Sequence, residues 1–387
     1  MKKNILFVPS WYPTKRKPIN GIFFKQQAEA LSNLDLNIKI LYVNIISIRE
    51  ILKVKEKLGF HKVIENNIEV YRYNAINIFP KIYRFYVELY VFLFNILVKK
   101  IKVDGFNFDI IHVQSAIVAG EGARRYKKRN NTPYVVTEHS SKVGRHILNN
   151  SEIKLIRKIY DEADTIISVS KSLKKHIESY TKNKNIVVIY NMFNFPQNIL
   201  NNKNVTDKTK EFKFFSLGTL NESKGMDICI KAFGKVFKDK PVFLHIGGEG
   251  SERVNLENLI EKIGMGSQIK LIGSLSREDV LNKMNDCDCF VLASRFETFG
   301  VVYIEALSMG KPIIATKCGG PEDIVTEFNG KLVDVDNVDQ LAEAMKEMNE
   351  YIKRYDKIKI VQDCKNRFGE LVIANEIMTE YNKLSNK

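Results

Sequence analysis

The sequence predicts an α/β protein built from two doubly wound domains. Its 387 residues exceed one ordinary domain and suit two of about 190 each. Short β-branched apolar runs alternate with segments of helical period along most of the chain. One stretch, Phe290 to Gly320, reads as a complete βαβ unit: an apolar strand at Phe290–Ala293, a turn at Glu297–Gly300, and helical period from Val301 to Met309. Gly310 and Lys311-Pro312 stop that helix before the next strand, Ile313–Thr316. In such a unit the first amides of the helix point out of the carboxyl edge of the sheet, where they can bind an anion.

Two glutamates flank that helix start. Glu297 precedes the amides and Glu305 lies within the helix, so a rise of about 1.5 Å per residue puts their carboxylates about 8 to 12 Å apart. A carboxylate, an anion cradle and a second carboxylate fit a hydroxyl-rich group, a diphosphate and a ribose in a row, the outline of a nucleotide sugar. The spacing carries a resemblance as well. Glu297 followed by x-Phe-Gly, and Glu305 followed by Ala-Leu-x-x-Gly-x-Pro and later Gly-Gly, resemble glycosyltransferase family 4, the group 1 type of retaining enzyme with the GT-B fold. The resemblance implies two Rossmann-like domains facing a cleft, a nucleoside diphosphate sugar as donor, and neither a metal nor another cofactor. It also implies that Glu297 holds sugar hydroxyls, Glu305 the ribose, and the amides at Phe299, Gly300 and Val301 the diphosphate.

Taken in order, the chain starts with a strand at Ile5–Val8, passes a basic loop containing Pro18, and enters an amphipathic helix near Gly21. Gly21 with Phe23-Phe24 resembles the family's amino-terminal loop, which places a glycine beside the donor phosphates. Strands follow at Ile38–Val43 and Ile68–Tyr73, then an aromatic helix between Phe79 and Val103, too short and too interrupted by charge to span a membrane comfortably. Strands at Asp109–Gln114 and Pro133–Thr137 enclose the basic helix end Arg124 to Arg129, and the second delivers Glu138 and His139 to the ligand edge. Thr137-Glu138-His139 matches the family's Thr-x-His, whose imidazole faces the donor sugar. Thr165–Ser170 and Ile186–Tyr190 complete a first domain over residues 1–195, and the polar, aperiodic stretch 196–211 reads as a linker.

The second domain, 212–369, opens with the strand Phe212–Leu217. Lys224 then stands at a helix start, where its ammonium can lie over a phosphate. The resemblance supplies Gly-Arg-Leu-x-x-x-Lys-Gly here, and Thr219 occupies the arginine position, so one cation of the expected clamp is missing; Arg295 and Lys317 are the candidates to replace it. Val242–Ile246 is a strand leading to Gly247-Gly248, similar to the family's turn near the nucleoside. Ile269–Gly273 is another strand. Asp286-Cys287-Asp288 has the form of a metal motif, yet its position before a strand reads as structural. Helices follow from Val338 and from about Glu370, and the fold implies that the last of them, about 370–387, packs back on the first domain.

Charge is distributed unevenly. Residues 1–200 hold 33 Lys and Arg against 16 Asp and Glu, whereas residues 201–387 hold 27 against 29, which places the whole excess in the first half. Scattered through a doubly wound pattern with no nucleic-acid-binding motif, it fits an anionic ligand or an anionic membrane surface better than nucleic acid. The run Ile5–Val8 ends at Pro9, too short for a secretory signal, so the expected location is cytoplasmic, peripheral on the inner face of the membrane. Five cysteines, none in a Cys-x-x-Cys pair, read as buried free thiols. The expected activity is transfer of a sugar, with retention, to a glycan or lipid-linked acceptor in cell-surface polysaccharide biosynthesis, with His139, Glu297 and Lys224 as catalytic groups. A nucleotide-sugar epimerase on the same fold and a non-catalytic nucleotide-sugar-binding subunit are the alternatives; only Thr219 favours the latter.

Overall fold

A computed structural model describes residues 2–53, 55–195 and 211–385. The chain divides into two compact units, Met1–Met192 with Glu370–Lys387, and Phe193–Gly369. The stretch read as a linker, 196–211, lies outside the described residues except for Glu211.

The first unit runs β1 (Lys3–Pro9), α1 (Ile22–Ser32), β2 (Leu36–Ser47), β3 (Gly59–Glu65), β4 (Ile68–Asn77), α2 (Tyr83–Val103), β5 (Ile110–Gln114), α3 (Ala119–Asn130), β6 (Tyr134–Glu138), α4 (Ser141–Gly144), α5 (Asn150–Glu162), β7 (Thr165–Ser168), α6 (Lys171–Glu178) and β8 (Ile186–Val188). Its eight strands lie in the order β3-β4-β2-β1-β5-β6-β7-β8. Every described pairing in it is parallel except β3 with β4. β5, β6 and β7 are buried along their whole length, as expected of strands covered by helices on both faces. The strand order reverses between β1 and β5, where Pro9 pairs with Gln114, and the ligand edge of such a sheet lies at that switch.

The second unit runs β9 (Phe212–Leu217), α7 (Met226–Phe237), β10 (Val242–Gly247), α8 (Arg253–Lys262), β11 (Ile269–Leu271), α9 (Arg277–Asp286), β12 (Cys289–Leu292), α10 (Val301–Ser308), β13 (Ile313–Thr316), β14 (Gly330–Val333), α11 (Val338–Tyr351) and α12 (Lys357–Phe368). Its all-parallel order, β11-β10-β9-β12-β13-β14, puts the switch between β9 and β12. The last helix, α13 (Glu370–Ser385), belongs to the first unit. Its Ile373, Ala374, Ile377 and Tyr381 share a core with Ile5, Phe7 and Phe24.

Several elements differ from the sequence reading for local reasons. β7 stops at Ser168, because Ser170 turns to cap α6 and its hydroxyl accepts the Leu173 amide. The aromatic helix begins at Tyr83 and buries one face, including Tyr90, Phe94 and Leu97. No helix among the described residues is long and apolar enough to cross a membrane. The basic end of α3 is ion-paired except at Arg129, which bonds Asn95 and the Arg125 carbonyl. Arg124, nearly buried, pairs with Glu121 and Glu162; Arg125 pairs with Glu88 and Glu121; Lys127 reaches Asp164 and Lys128 reaches Glu162. All five cysteines are buried and free.

Candidate active site

The switch of the second sheet gathers the residues picked out by sequence. After β9 the chain makes a single turn, Glu222–Lys224, and Gly225 (φ 60°) starts α7. A Cβ on Gly225 would lie 1.9 Å from the Ala293 carbonyl, so glycine is what lets this turn approach the end of β12. That approach brings Lys224 Nζ to 2.5 Å from Glu297 Oε1. The Ser294 hydroxyl donates to the same oxygen at 2.8 Å. Glu297 is fixed through its backbone too, its amide bonding the Cys318 carbonyl and its carbonyl accepting the Gly320 amide. Phe299 is buried, and Gly300 caps α10 with φ 97°, a conformation that tips the chain into the helix. The Tyr303 amide bonds the Gly300 carbonyl, while those of Val301 and Val302 fall at helix positions with no intrahelical acceptor.

Glu305, one turn further on, is largely covered and held by Arg277, whose Nη1 lies 2.5 Å from Glu305 Oε1. Burial pushes the Glu305 carboxyl up and the guanidinium opposes that shift. Arg277 was absent from the sequence reading. It follows the Ser276 capping box at the start of α9, a signal for a helix terminus that says nothing about a partner 28 residues away. Ser294 was missed likewise, although a hydroxyl three residues before Glu297 was visible.

Thr219 is exposed and its carbonyl closes a turn on the Asn221 amide. Both candidate replacements for the missing cation are engaged by carboxylates, as Lys224 is, and Arg295 lies against the Glu222–Lys224 turn, its amide bonding the Ser223 carbonyl. Arg295 is bound to Asp227 and Asp336, and Lys317 to Asp334. Gly248 donates its amide to Gly273 at 2.8 Å, and a Cβ there would lie 1.9 Å from the Gly218 carbonyl; its contribution is close approach of two loops. Asp288 accepts the Lys213 amide at 2.8 Å and so locks β12 to β9. Among the described residues no group of three or more His, Cys, Asp or Glu could hold a metal ion.

The first unit forms its own cluster at the switch between β1 and β5. Gly21 (φ 73°) caps α1 and packs on Trp11, where a Cβ would lie 2.7 Å from the carbonyl oxygen. His139 follows β6 and packs against the paired rings of Phe23 and Phe24, at 5.1 and 5.0 Å. Its Nε2 lies 2.9 Å from Gln114 Oε1, and its buried Nδ1 has no hydrogen-bond partner. Asn191 lies beside the ring without meeting hydrogen-bond geometry at Nδ1. Burial lowers the His139 pKa to about 3, with His112 adding to the shift, so the imidazole is neutral near pH 7. The adjacent Glu138 anchors the loop by accepting from the amides of Ala116, His139 and Ser140 and from the Tyr160 hydroxyl.

Comparison with known proteins agrees with this architecture. The model of the glycosyl transferases group 1 family matches residues 197–359, and that of glycosyltransferase family 4 matches residues 60–195. An uncharacterized glycosyltransferase of Methanocaldococcus jannaschii is 31% identical over 259 residues, covering 65% of this chain and 69% of that protein. A Campylobacter jejuni protein, N-acetylgalactosamine-N,N'-diacetylbacillosaminyl-diphospho-undecaprenol 4-alpha-N-acetylgalactosaminyltransferase, is 28% identical over 61% of this chain and 69% of its own length. The structure of HepE from Anabaena in complex with UDP superposes with a TM-score of 0.74 over 98% of this chain and all of that one; at 18% identity the likeness is one of fold. The chain belongs to the group 1 glycosyltransferases of family 4, and its fold is GT-B.

Proposed function

We propose that the protein moves a sugar from a nucleoside diphosphate donor to a glycan or lipid-linked acceptor, with retention of configuration and without a metal, in the building of a cell-surface polysaccharide. The observation that carries this reading is the convergence of Lys224, Glu297 and the start of α10 at one sheet switch. The group needing stabilisation during transfer is the departing diphosphate, on which negative charge develops. An ammonium and two helix-terminal amides held in place before the reaction supply that stabilisation at little reorganisation cost. The backbone of Phe299, Gly300, Val301 and Val302 would cradle the diphosphate, Glu305 would accept from the ribose hydroxyls, and Glu297 from the sugar. His139, neutral, would orient the sugar, and Gly21 and Gly248, by packing on Trp11 and Gly218, would hold their loops in place beside the donor. Asp288 is engaged on β9, which leaves the Asp-Cys-Asp stretch a structural role.

The Campylobacter relative is named for a diphospho-undecaprenol acceptor, which supports a lipid-linked acceptor here. Since all the cations at the end of α3 except Arg129 are ion-paired, another surface of the first unit is better suited to meet an anionic membrane. Ser47 pairs with Asn77, so the residues after β2 and β4 emerge side by side. There Ile48, Leu52, Ile78 and Phe79 are exposed, interspersed with the exposed Arg49 and Lys81, a mixture suited to seating in a headgroup layer. The test of the transfer itself is a panel of UDP, GDP and ADP sugars scored by thermal shift and then by release of nucleoside diphosphate. Stabilisation and turnover of at least one donor support the reading; binding with no turnover under any acceptor would favour a binding subunit.

A further inference from the structure

Behind His139 runs a chain of buried polar side chains that the proposed chemistry does not use. Gln114 Nε2 lies 2.6 Å from Gln27 Oε1 and 3.1 Å from His112 Nε2. His112 Nε2 is also 2.6 Å from the Thr137 hydroxyl, and His112 Nδ1 is 2.5 Å from the Tyr381 hydroxyl on α13. His112, Gln114, Thr137 and Tyr381 are each at most 1% exposed, so every one must match donor to acceptor without help from water.

The matching has a direction. A side-chain carbonyl only accepts, so the His139 nitrogen facing Gln114 Oε1 carries the proton. An amide NH2 only donates, so His112 Nε2 presents a lone pair, filled from Gln114 and from the Thr137 hydroxyl. His112 must then hold its proton on Nδ1 and donate it to the Tyr381 oxygen. Burial lowers the pKa of both imidazoles to about 3, so neither escapes this choice by becoming doubly protonated near pH 7. Reversing the pattern requires turning the amides of Gln114 and Gln27 together, and it would put the His139 proton on Nδ1.

We propose that the chain Tyr381–His112–Gln114 fixes His139 as the tautomer protonated on Nε2, so that its buried Nδ1 is an obligate hydrogen-bond acceptor that selects donor sugars offering an O–H or N–H there. This rests on the proposed placement of His139 beside the transferred sugar. The orphaned Nδ1 gains its partner when a hydroxyl or an acetamido N–H arrives. A uronate carboxylate at the same place has only lone pairs to offer and is repelled. Gln114, His112 and Tyr381 are positioning residues in this scheme, and Tyr381 acts on the site from a helix 269 residues away in sequence from His112.

Nitrogen NMR of the full-length protein labelled at histidine, with the His139 signals assigned by His139→Gln, reads the tautomer without requiring activity. The expected spectrum shows Nε2 protonated and Nδ1 bare from pH 8 down to pH 5. In Tyr381→Phe, which keeps the ring and removes the acceptor for His112, the His139 signals move toward protonation at Nδ1. A wild-type His139 protonated on Nδ1, or averaging between the two forms, overturns the proposal, as does a Tyr381→Phe spectrum identical to wild type. Thr137→Val, which removes one hydrogen bond to His112 Nε2 at similar volume, provides a second variant with the same expected direction. With an active donor in hand, one monodeoxy analogue of its sugar should lose about tenfold in kcat/KM on the wild type and little on Tyr381→Phe. If the tautomer is as described but no deoxy analogue shows this coupling, selection by Nδ1 is refuted. If no nucleotide sugar is turned over at all, the transferase reading fails while the tautomer result stands.

Discussion

Replacing Glu297 by glutamine should tighten nucleoside diphosphate binding while suppressing transfer. Lys224 Nζ is 2.5 Å from Glu297 Oε1, with side chains 24% and 11% exposed, so the ammonium meant for the diphosphate is already engaged by a carboxylate. Coulomb's law at an effective dielectric of about 20 gives about 4 kcal/mol for unit charges about 4 Å apart. Solvent reaching both groups reduces this to about 1–2 kcal/mol of coupling that an incoming diphosphate must offset. Glutamine keeps the shape and the acceptor for Ser294 but removes the charge, so affinity for the diphosphate should rise by about 5- to 30-fold. Lys224→Ala removes a charge-assisted hydrogen bond worth about 1.5–3 kcal/mol, and affinity should fall by about 10- to 150-fold. Calorimetric titration with UDP, GDP and ADP measures both variants, and turnover of the matching donor sugar gives the catalytic arm. Weaker diphosphate binding by Glu297→Gln, or undiminished binding by Lys224→Ala, would refute the assignment of these two side chains.

The remaining predictions concern neighbouring parts of the same account. Arg277→Ala leaves the covered Glu305 carboxylate without its cation; discounted for the exposed guanidinium, it should cost about 1–2 kcal/mol in urea unfolding and push the Glu305 carboxyl further up, so that nucleotide binding weakens more at pH 6 than at pH 8. Gly225→Ala combines a left-handed backbone with a 1.9 Å approach to Ala293 and should cost at least about 2 kcal/mol, together with nucleotide affinity, because Lys224 moves with the turn. His112 and His139 have native pKa values lowered from 6.5 to about 3, so between those values the unfolded chain binds more protons than the folded one. Their stabilising contribution is complete above about pH 6.5 and falls with acidification by up to about 1.4 kcal/mol per pH unit for each, a slope that His112→Gln should reduce in denaturant titrations from pH 7.5 to 5. Vesicles containing anionic lipid should sediment the protein at low salt, and Leu52→Ser with Phe79→Ser should release it; unchanged sedimentation would leave the edge of β2 and β4 without that role.

What sequence could reveal depended on whether a pattern was local. The buried parallel strands were legible from their continuous apolar runs, and the β12–α10–β13 unit stood out because turn, helix and stop signals were all in register. β3 was missed because Phe60-His61-Lys62-Val63-Ile64 interrupts its apolar positions with charge, as an antiparallel edge strand facing water allows. The surroundings of the basic run on α3 were hidden for a related reason: one-dimensional charge cannot show that Glu88, Glu162 and Asp164 would be folded against it. Glu297, Lys224 and Glu305 were singled out by motif, but the contacts they make were not. Ser294 was within reach, whereas the Arg277 partnership and the chain from Tyr381 to His139 join residues that only tertiary packing brings together.

The central claim is metal-independent sugar transfer from a nucleoside diphosphate donor at the β9–β12 switch. The most direct measurement follows nucleoside diphosphate release from a panel of donor sugars by wild type, Lys224→Ala and Glu297→Gln, each in EDTA and in added magnesium. The account predicts that wild type turns over at least one donor at the same rate in both conditions, and that both variants are strongly impaired with that donor. Turnover abolished by EDTA and restored by magnesium, or variants as active as wild type, would contradict it.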